Sequence, residues 1–276
     1  MLAAHGCAAG PPRGGPPPRT DFAIPPLDAG IVVRASTPGG VRFDHPPARA
    51  GAAWSVAVRA TSRAEDPRGG EQVSAYESDH RVEILAIDGP APSRLRVRFT
   101  RNVHVFQGHA TPTAIDGKEY VVDARAPHVR DAVGAAAPEP EAQRVLDVLP
   151  DLGTRTRLDE VLPDEAMRLG ERRDEVAAAI LRVIHPRAWT LRSGEARLVE
   201  ASGDDARFTV TLDAASDTGL RMWLAGDALV RTRDARLSRL ALEGRYEQTA
   251  AGSSDPPGTM TLSRVVTDEP APAGGR

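Results

Sequence analysis

Three short patterns occur twice in this chain, in the same order, at an offset of about 110 to 120 residues. Arg49-Ala50-Gly51-Ala52-Ala53-Trp54 is matched by Arg168-Leu169-Gly170-Glu171-Arg172-Arg173. Glu83-Ile84-Leu85-Ala86-Ile87-Asp88-Gly89 with Leu95-Arg96-Val97-Arg98-Phe99 is matched by Arg197-Leu198-Val199-Glu200-Ala201-Ser202-Gly203 with Phe208-Thr209-Val210-Thr211-Leu212. Gly117 before Tyr120-Val121-Val122 is matched by Gly226 before Ala228-Leu229-Val230. Ordered recurrence at a near-constant offset predicts that one structural unit is used twice. Any fold for the chain must accommodate two similar halves.

Each half reads as antiparallel β. Val82 and Ile84 alternate, Asp88-Gly89 turns the chain, and Leu95, Val97 and Phe99 alternate on the return. A period of two means one dry and one wet face, and it places Arg94, Arg96, Arg98 and Arg101 on the wet one. In the second half Gly203-Asp204-Asp205 separates Arg197–Ala201 from Arg207–Leu212 as a hairpin turn. Further strands are expected at Val103–Gln107, Glu119–Ala124, Leu220–Leu224, Ala228–Thr232, Arg236–Glu243 and Thr259–Val266, with Asp234-Ala235 as a turn. Arg231, Arg233, Arg236, Arg239 and Arg245 keep this late face charged.

Two helices are expected, one in the connector between the halves and one at the start of the second half. Pro138-Glu139-Pro140-Glu141 suits a helix start, because proline loses no needed donor there and acids face the positive end of the dipole. Ala142, Val145, Leu146 and Leu149 form one apolar stripe that Pro150 ends. The second helix runs from Asp174, its cap, to Ile184, with Val176, Ile180, Val183 and Ile184 on one face and His185-Pro186 as the stop. The predicted organisation is a disordered tether over 1–29, a first β half over 30–137, a helical connector over 138–166, a second β half over 167–267 and a tail over 268–276. The expected fold class is mainly β with minor α: two similar curved antiparallel sheets with a few short helices.

The tether is crowded with Pro11, Pro12, Gly14, Gly15, Pro16, Pro17, Pro18, Pro25 and Pro26, a composition that cannot offset its ordering entropy. Its start, Leu2-Ala3-Ala4-His5-Gly6-Cys7-Ala8, places small residues before a lone cysteine, as at the end of a bacterial lipoprotein signal. On that reading Cys7 is the lipidated residue, and the basic and apolar parts of the signal lie upstream of Met1, a start placed too far downstream. One cysteine excludes an intramolecular disulfide. No run of about 18 apolar residues occurs, so membrane association is expected only through an N-terminal lipid.

The balance of 35 basic and 38 acidic residues leaves a net charge of −3, which excludes a chain-wide basic field for nucleic acid. Gly117-Lys118 carries the only lysine, but Glu119 follows where a phosphate loop needs Ser or Thr. No His-Glu-x-x-His, no cysteine pair and no Gly-x-Ser-x-Gly elbow occurs, so neither a metal nor a cofactor is expected and no catalytic residue is assigned. Carboxylates such as Asp204-Asp205 fall in a turn. Aromatics are 4% of the chain, and most fall on alternating strand positions that suit core packing. The alternative is that Trp54, Tyr76, Phe106, Tyr120 and Trp223 line a concavity that takes an apolar ligand.

The order of charged β half, Leu162-Pro163, the Leu169-Gly170-Glu171 step, short helix and second β half resembles a group of bacterial cell-envelope lipoproteins common in myxobacteria. In that group the step is Gly-(Glu/Asp)-x-Trp. Gly51-x-x-Trp54 keeps a version of it, and the second half has Arg172-Arg173 instead of the Trp. The resemblance spans roughly Phe43 to Val266. In style the bent halves are also similar to periplasmic lipoprotein carriers. The resemblance implies a periplasmic or outer-membrane-anchored protein with no established activity to carry over. The expected function is non-enzymatic binding of an envelope protein or a lipid-like ligand. The alternatives are a hydrolase using Asp79, His80, His104 or His109, and a structural envelope subunit; a cytoplasmic address is the alternative location. No residue pattern sets the oligomeric state.

Overall fold

A computed structural model describes residues 40–66, 69–125, 128–149, 152–153, 157–184, 189–248 and 257–269. Cys7, the tether, Pro150 and His185-Pro186 lie outside the described residues. The first half contributes β1 (Ala53–Glu65), β2 (Glu71–Asp88), β3 (Ala91–Phe106), β4 (His109–Pro112), β5 (Glu119–Asp123) and β6 (His128–Asp131). Three helices follow: α1 (Glu139–Asp147), α2 (Arg157–Val161) and α3 (Asp174–Ile184). The second half supplies β7 (Trp189–Ser202), β8 (Asp205–Ser216), β9 (Leu220–Arg231), β10 (Leu237–Gln248) and β11 (Gly258–Asp268). The fold is mainly antiparallel β, as expected.

The strands form one sheet rather than two. Its order is β6-β5-β3-β2-β1-β11-β10-β9-β8-β7, with β4 added to β3. The join is β1 against β11, paired from Trp54↔Asp268 to Ala64↔Gly258. A separate first sheet would leave the long β1 with a row of unpaired backbone groups, and β11 satisfies them. The outer edges are shielded. Ala135 and Ala137 bond to the β6 edge, and Gly170, Glu171 and Arg173 bond to β7 at Ala196 and Leu198.

The repeat is visible in hydrogen bonds. Gly51 N–H donates to Ile84 O and Ile84 N–H to Ala52 O; in the second half Gly170 N–H donates to Leu198 O and Leu198 N–H to Glu171 O. Both glycines have positive φ, 81° and 85°. The ladder slips after Ile84, opposite Leu95, and equally after Leu198, opposite Phe208. β5 then sets Val122 opposite Leu95, as β9 sets Ala228 opposite Phe208. Val122 therefore corresponds to Ala228, two residues from the match of Tyr120 with Ala228 that the sequence suggests. After the shared step the halves diverge. The first continues into β1, whereas the second turns at Asp174 into α3.

Most of the strands bury one face, whereas the short β4 is exposed along its length. The outer face is laced with ion pairs, among them Arg59–Asp79, Arg96–Glu83, Arg101–Glu77 and Arg221–Asp213. Such solvated pairs are each worth at most about 1 kcal/mol. The inner face carries two cores. Ile84, Val97, Phe99, Tyr120 and Val122 pack with Val145, Leu146 and Leu149 of α1 and its exit. Leu198, Phe208, Val210, Met222 and Leu240 pack with α2, α3, Phe43 and Met167. The connector is thus no separate unit, because α1 belongs to the first core and Leu158 of α2 to the second.

The helices start as their sequences dictate. Pro138 caps α1, and Glu141 in its first turn accepts from Lys118 Nζ at 2.8 Å and Tyr120 Oη at 2.5 Å. α3 opens on Asp174-Glu175 and buries Val176, Ala177, Ile180, Leu181 and Val183. One position shows how tightly the sheet coils: a Cβ on Gly244 would lie 1.8 Å from Trp223 O on the neighbouring strand.

A candidate ligand cavity at the seam

Where the two cores meet, the inner face is not filled. A cavity of about 540 Å³ lies over the centre of the sheet. Its floor is the junction itself: Trp54 and Val56 of β1, His80 and Val82 of β2, Arg264 and Val266 of β11. The roof comes from the connector, with Val148, Leu149 and Leu152 after α1, Leu158 and Asp159 of α2, and Val183 of α3. Pro46-Pro47-Ala48-Arg49 crosses the front, and His45 Nδ1 is hydrogen-bonded to Asp159, tying that segment to α2.

The mouth is charged and mostly paired. Arg233, Asp234 and Arg236 project from the β9–β10 turn. Asp268 accepts from Arg231 and from Arg233. Glu269 accepts from Arg81 Nε at 2.5 Å and Ser55 Oγ at 2.7 Å, and these partners hold its carboxyl below the ordinary carboxylate range. The Arg236 guanidinium sits 4.4 Å from the Trp54 ring centroid. That cation–π contact fixes the indole at the cavity entrance.

Apolar residues line much of the interior together with Asp159, Arg264 and His80, and behind His80 lies a buried polar network. Ser78, His80 and Asn102 are 0%, 4% and 1% exposed. Thr113 Oγ1 donates to Asn102 Oδ1 at 2.6 Å. Asn102 Nδ2 donates to Tyr76 Oη at 2.8 Å and to Ser78 Oγ at 3.0 Å. Ser78 Oγ lies 3.2 Å from His80 Nδ1. Burial, helped by the Arg264 charge, pushes the His80 imidazole down to about 3 from its ordinary value. His80 is therefore neutral at physiological pH.

The aromatic residues expected to line one concavity divide. Trp54 lies in the cavity wall. Tyr76 is on the same face beyond it, bonded to Asn102 and tilted against His104 at 5.3 Å. Tyr120 is a core residue, 1% exposed. Phe106 is 51% exposed at the end of β3. Trp223 points to the outer face between Arg221 and Arg245, lining a separate open groove. Only Trp54 of the five therefore lines the seam cavity. The alternation of β9, with Met222 and Leu224 buried inward, forces Trp223 outward.

Asp79, His80, His104 and His109 do not converge. Asp79 pairs with Arg59 on the outer face, His80 faces inward, and His109 is exposed on β4. Among the described residues no three His, Cys, Asp or Glu side chains gather into a metal site. No helix among them is long and apolar enough to cross a membrane.

Several cavity residues were not anticipated from sequence: His80 as a wall residue, Arg264, Leu237 and Val266. A signal for Arg264 exists. It shares strand parity with Leu262 and Val266, which places a cation on an apolar stripe.

No family model matches the chain, and no curated protein sequence matches it. Among solved structures it is similar to DynF from the dynemicin biosynthesis pathway of Micromonospora chersina. The identity is 11%, 92% of each chain is aligned, and the TM-score is 0.22. A likeness that slight transfers neither fold nor function.

Proposed function

We propose that this chain is a non-catalytic cell-envelope protein that holds an apolar, lipid-like small molecule in the seam cavity. The observation that carries the reading is the cavity itself. About 540 Å³ bounded by Trp54, Val56, Val82, Leu149, Leu152 and Val266 falls in the size range of small-molecule sites. Apolar side chains facing empty space forfeit dispersion contacts, so such a volume costs stability unless something occupies it. The charged mouth and largely apolar interior suit a molecule that enters from an aqueous or interfacial phase and buries its hydrocarbon.

The envelope address rests on Cys7 and the small residues before it. Metabolic labelling with palmitate, using the native upstream DNA, tests it: label on the wild-type protein and none on Cys7→Ser supports the anchor.

Ligand binding is tested by titrating the full chain with N-phenyl-1-naphthylamine. One saturable site is expected, and Val266→Trp, which fills the cavity from β11, should abolish it while the circular dichroism spectrum is kept. A linear, unsaturable signal, or binding that survives Val266→Trp, overturns the reading.

A further inference from the structure

We infer that the ligand of the seam cavity is an amphiphile with an anionic head, bound head-outward at Arg236 with its hydrocarbon inside. This rests on the cavity reading above and adds the charge and the orientation of the ligand.

The inference begins with the charges around the cavity. The four acids that line it are already engaged. Asp234 accepts from Arg231 Nε at 3.1 Å and from a terminal nitrogen of the same guanidinium at 2.8 Å. Asp268 accepts from Arg231 and Arg233, and Glu269 from Arg81 and Ser55. Asp159 is hydrogen-bonded to His45. Arg236 stands at the same mouth, and among the described residues its side chain has neither an ion pair nor a hydrogen bond. Its charge faces the Trp54 ring, 4.4 Å from the centroid. A cation–π contact draws on the positive charge but gives the guanidinium N–H groups no acceptor. Arg49, on the segment that crosses the front, is a second cation with no ion pair among the described residues.

Arg236 is also held in place. Arg231 N–H donates to Arg236 O at 2.9 Å across the β9–β10 turn, where Ala235 adopts a φ of 50°. Ala235 and Leu237, on either side of it, are 0% and 6% exposed. The half-buried guanidinium therefore rests on Trp54 from a fixed turn, and little ordering remains when a ligand arrives. An anion is the partner such donors fit, because a hydrogen bond to an ionised acceptor is roughly twice as strong as a neutral one. A carboxylate and a phosphate ester share that chemistry. With its head at Arg236, the ligand's tail passes Trp54 towards Val56, Val82, Leu149 and Leu152. An uncharged apolar molecule would cover the mouth and leave the guanidinium without an acceptor.

The test compares cis-parinaric acid with its methyl ester, two fluorescent probes with the same hydrocarbon and different heads, on the full chain at about pH 7.5, where the acid is ionised. The acid should bind about tenfold more tightly, as one charge-assisted contact would give. Arg236→Gln should remove most of that preference, Arg236→Lys, which keeps the charge, should retain part of it, and Arg49→Gln should lower it about twofold. Raising the salt from about 0.05 to 0.5 M should weaken binding of the acid and spare the ester. Laurate and dodecyl phosphate should both displace the bound acid at lower concentration than dodecanol, and the better of the two identifies the head. Equal affinity for acid and ester in the wild type, a preference that Arg236→Gln leaves intact, or dodecanol competing as well as the two anions overturns the inference and leaves the cavity reading standing. Binding of neither probe overturns both.

Discussion

Acidification should weaken this fold through one buried imidazole. His80 is 4% exposed and its folded-state pKa is near 3, against an ordinary value of 6.5, chiefly because burial penalises the charged ring and secondarily because Arg264 repels it. Asp79, which raises the value, is the opposing charge. The unfolded chain therefore takes up a proton as pH falls through about 6.5, while the native protein does not until about 3. More protons bind to the unfolded state across that window, so stability is complete above it and is lost as pH falls. The limiting slope for one group is about 1.4 kcal/mol per pH unit. Between about pH 6.5 and 4.5 the loss should be on the order of 2 kcal/mol. The upper part of the window separates His80 from the carboxylates held low by their partners, such as Glu83, Asp123, Glu141 and Asp213, which act near and below their ordinary range. The assay is urea unfolding at several pH values for the wild type and His80→Leu. His104, also held low by burial, is common to both proteins and cancels in the difference. A variant with the same slope as the wild type would refute the reasoning.

Three further outcomes follow from particular contacts. Gly244→Ala should destabilise the protein by about 1 to 3 kcal/mol, measured by thermal unfolding, because the new methyl meets Trp223 O at 1.8 Å. Tyr120→Phe should cost on the order of 1 to 2 kcal/mol by removing the hydroxyl donated to Glu141, while Glu141 keeps Lys118. Trp223→Ala should leave probe affinity within about twofold, whereas Trp54→Ala should weaken it about tenfold or more, since only Trp54 lies in the cavity wall.

Much of the architecture was legible in local chemistry. Asp174 and the stripe of Val176, Ile180 and Val183 mark the start and the buried face of α3, because the acidic first turn and the amphipathic period agree there. The turns at Gly89 and Gly203 and the twin steps at Gly51 and Gly170 were readable for the same reason: each demands a backbone that glycine adopts freely. Gly226 misled, since it suggested a break between two strands. Instead β9 runs through it, and the missing side chain admits Ala241 O, which a Cβ would approach to 2.0 Å. The fusion of the halves was not legible. The pairing of β1 with β11 joins segments about 200 residues apart, and neither strand's alternation names its partner. The cavity was hidden for the same reason. Its wall draws on β1, β2, β10, β11 and the connector, so no local pattern contains it. The Trp and Tyr residues that looked suited to a concavity were sorted by strand parity and by Glu141 into core, surface and wall.

The central claim is that the joined halves leave a ligand chamber floored by Trp54. The most direct measurement is quenching of that indole by a dibrominated stearic acid in a protein where Trp189 and Trp223 are changed to Phe. Quenching that saturates near one equivalent is predicted, with no saturable quenching in the counterpart that keeps only Trp223. Equal quenching of both proteins, or none in the protein that keeps Trp54, would contradict it.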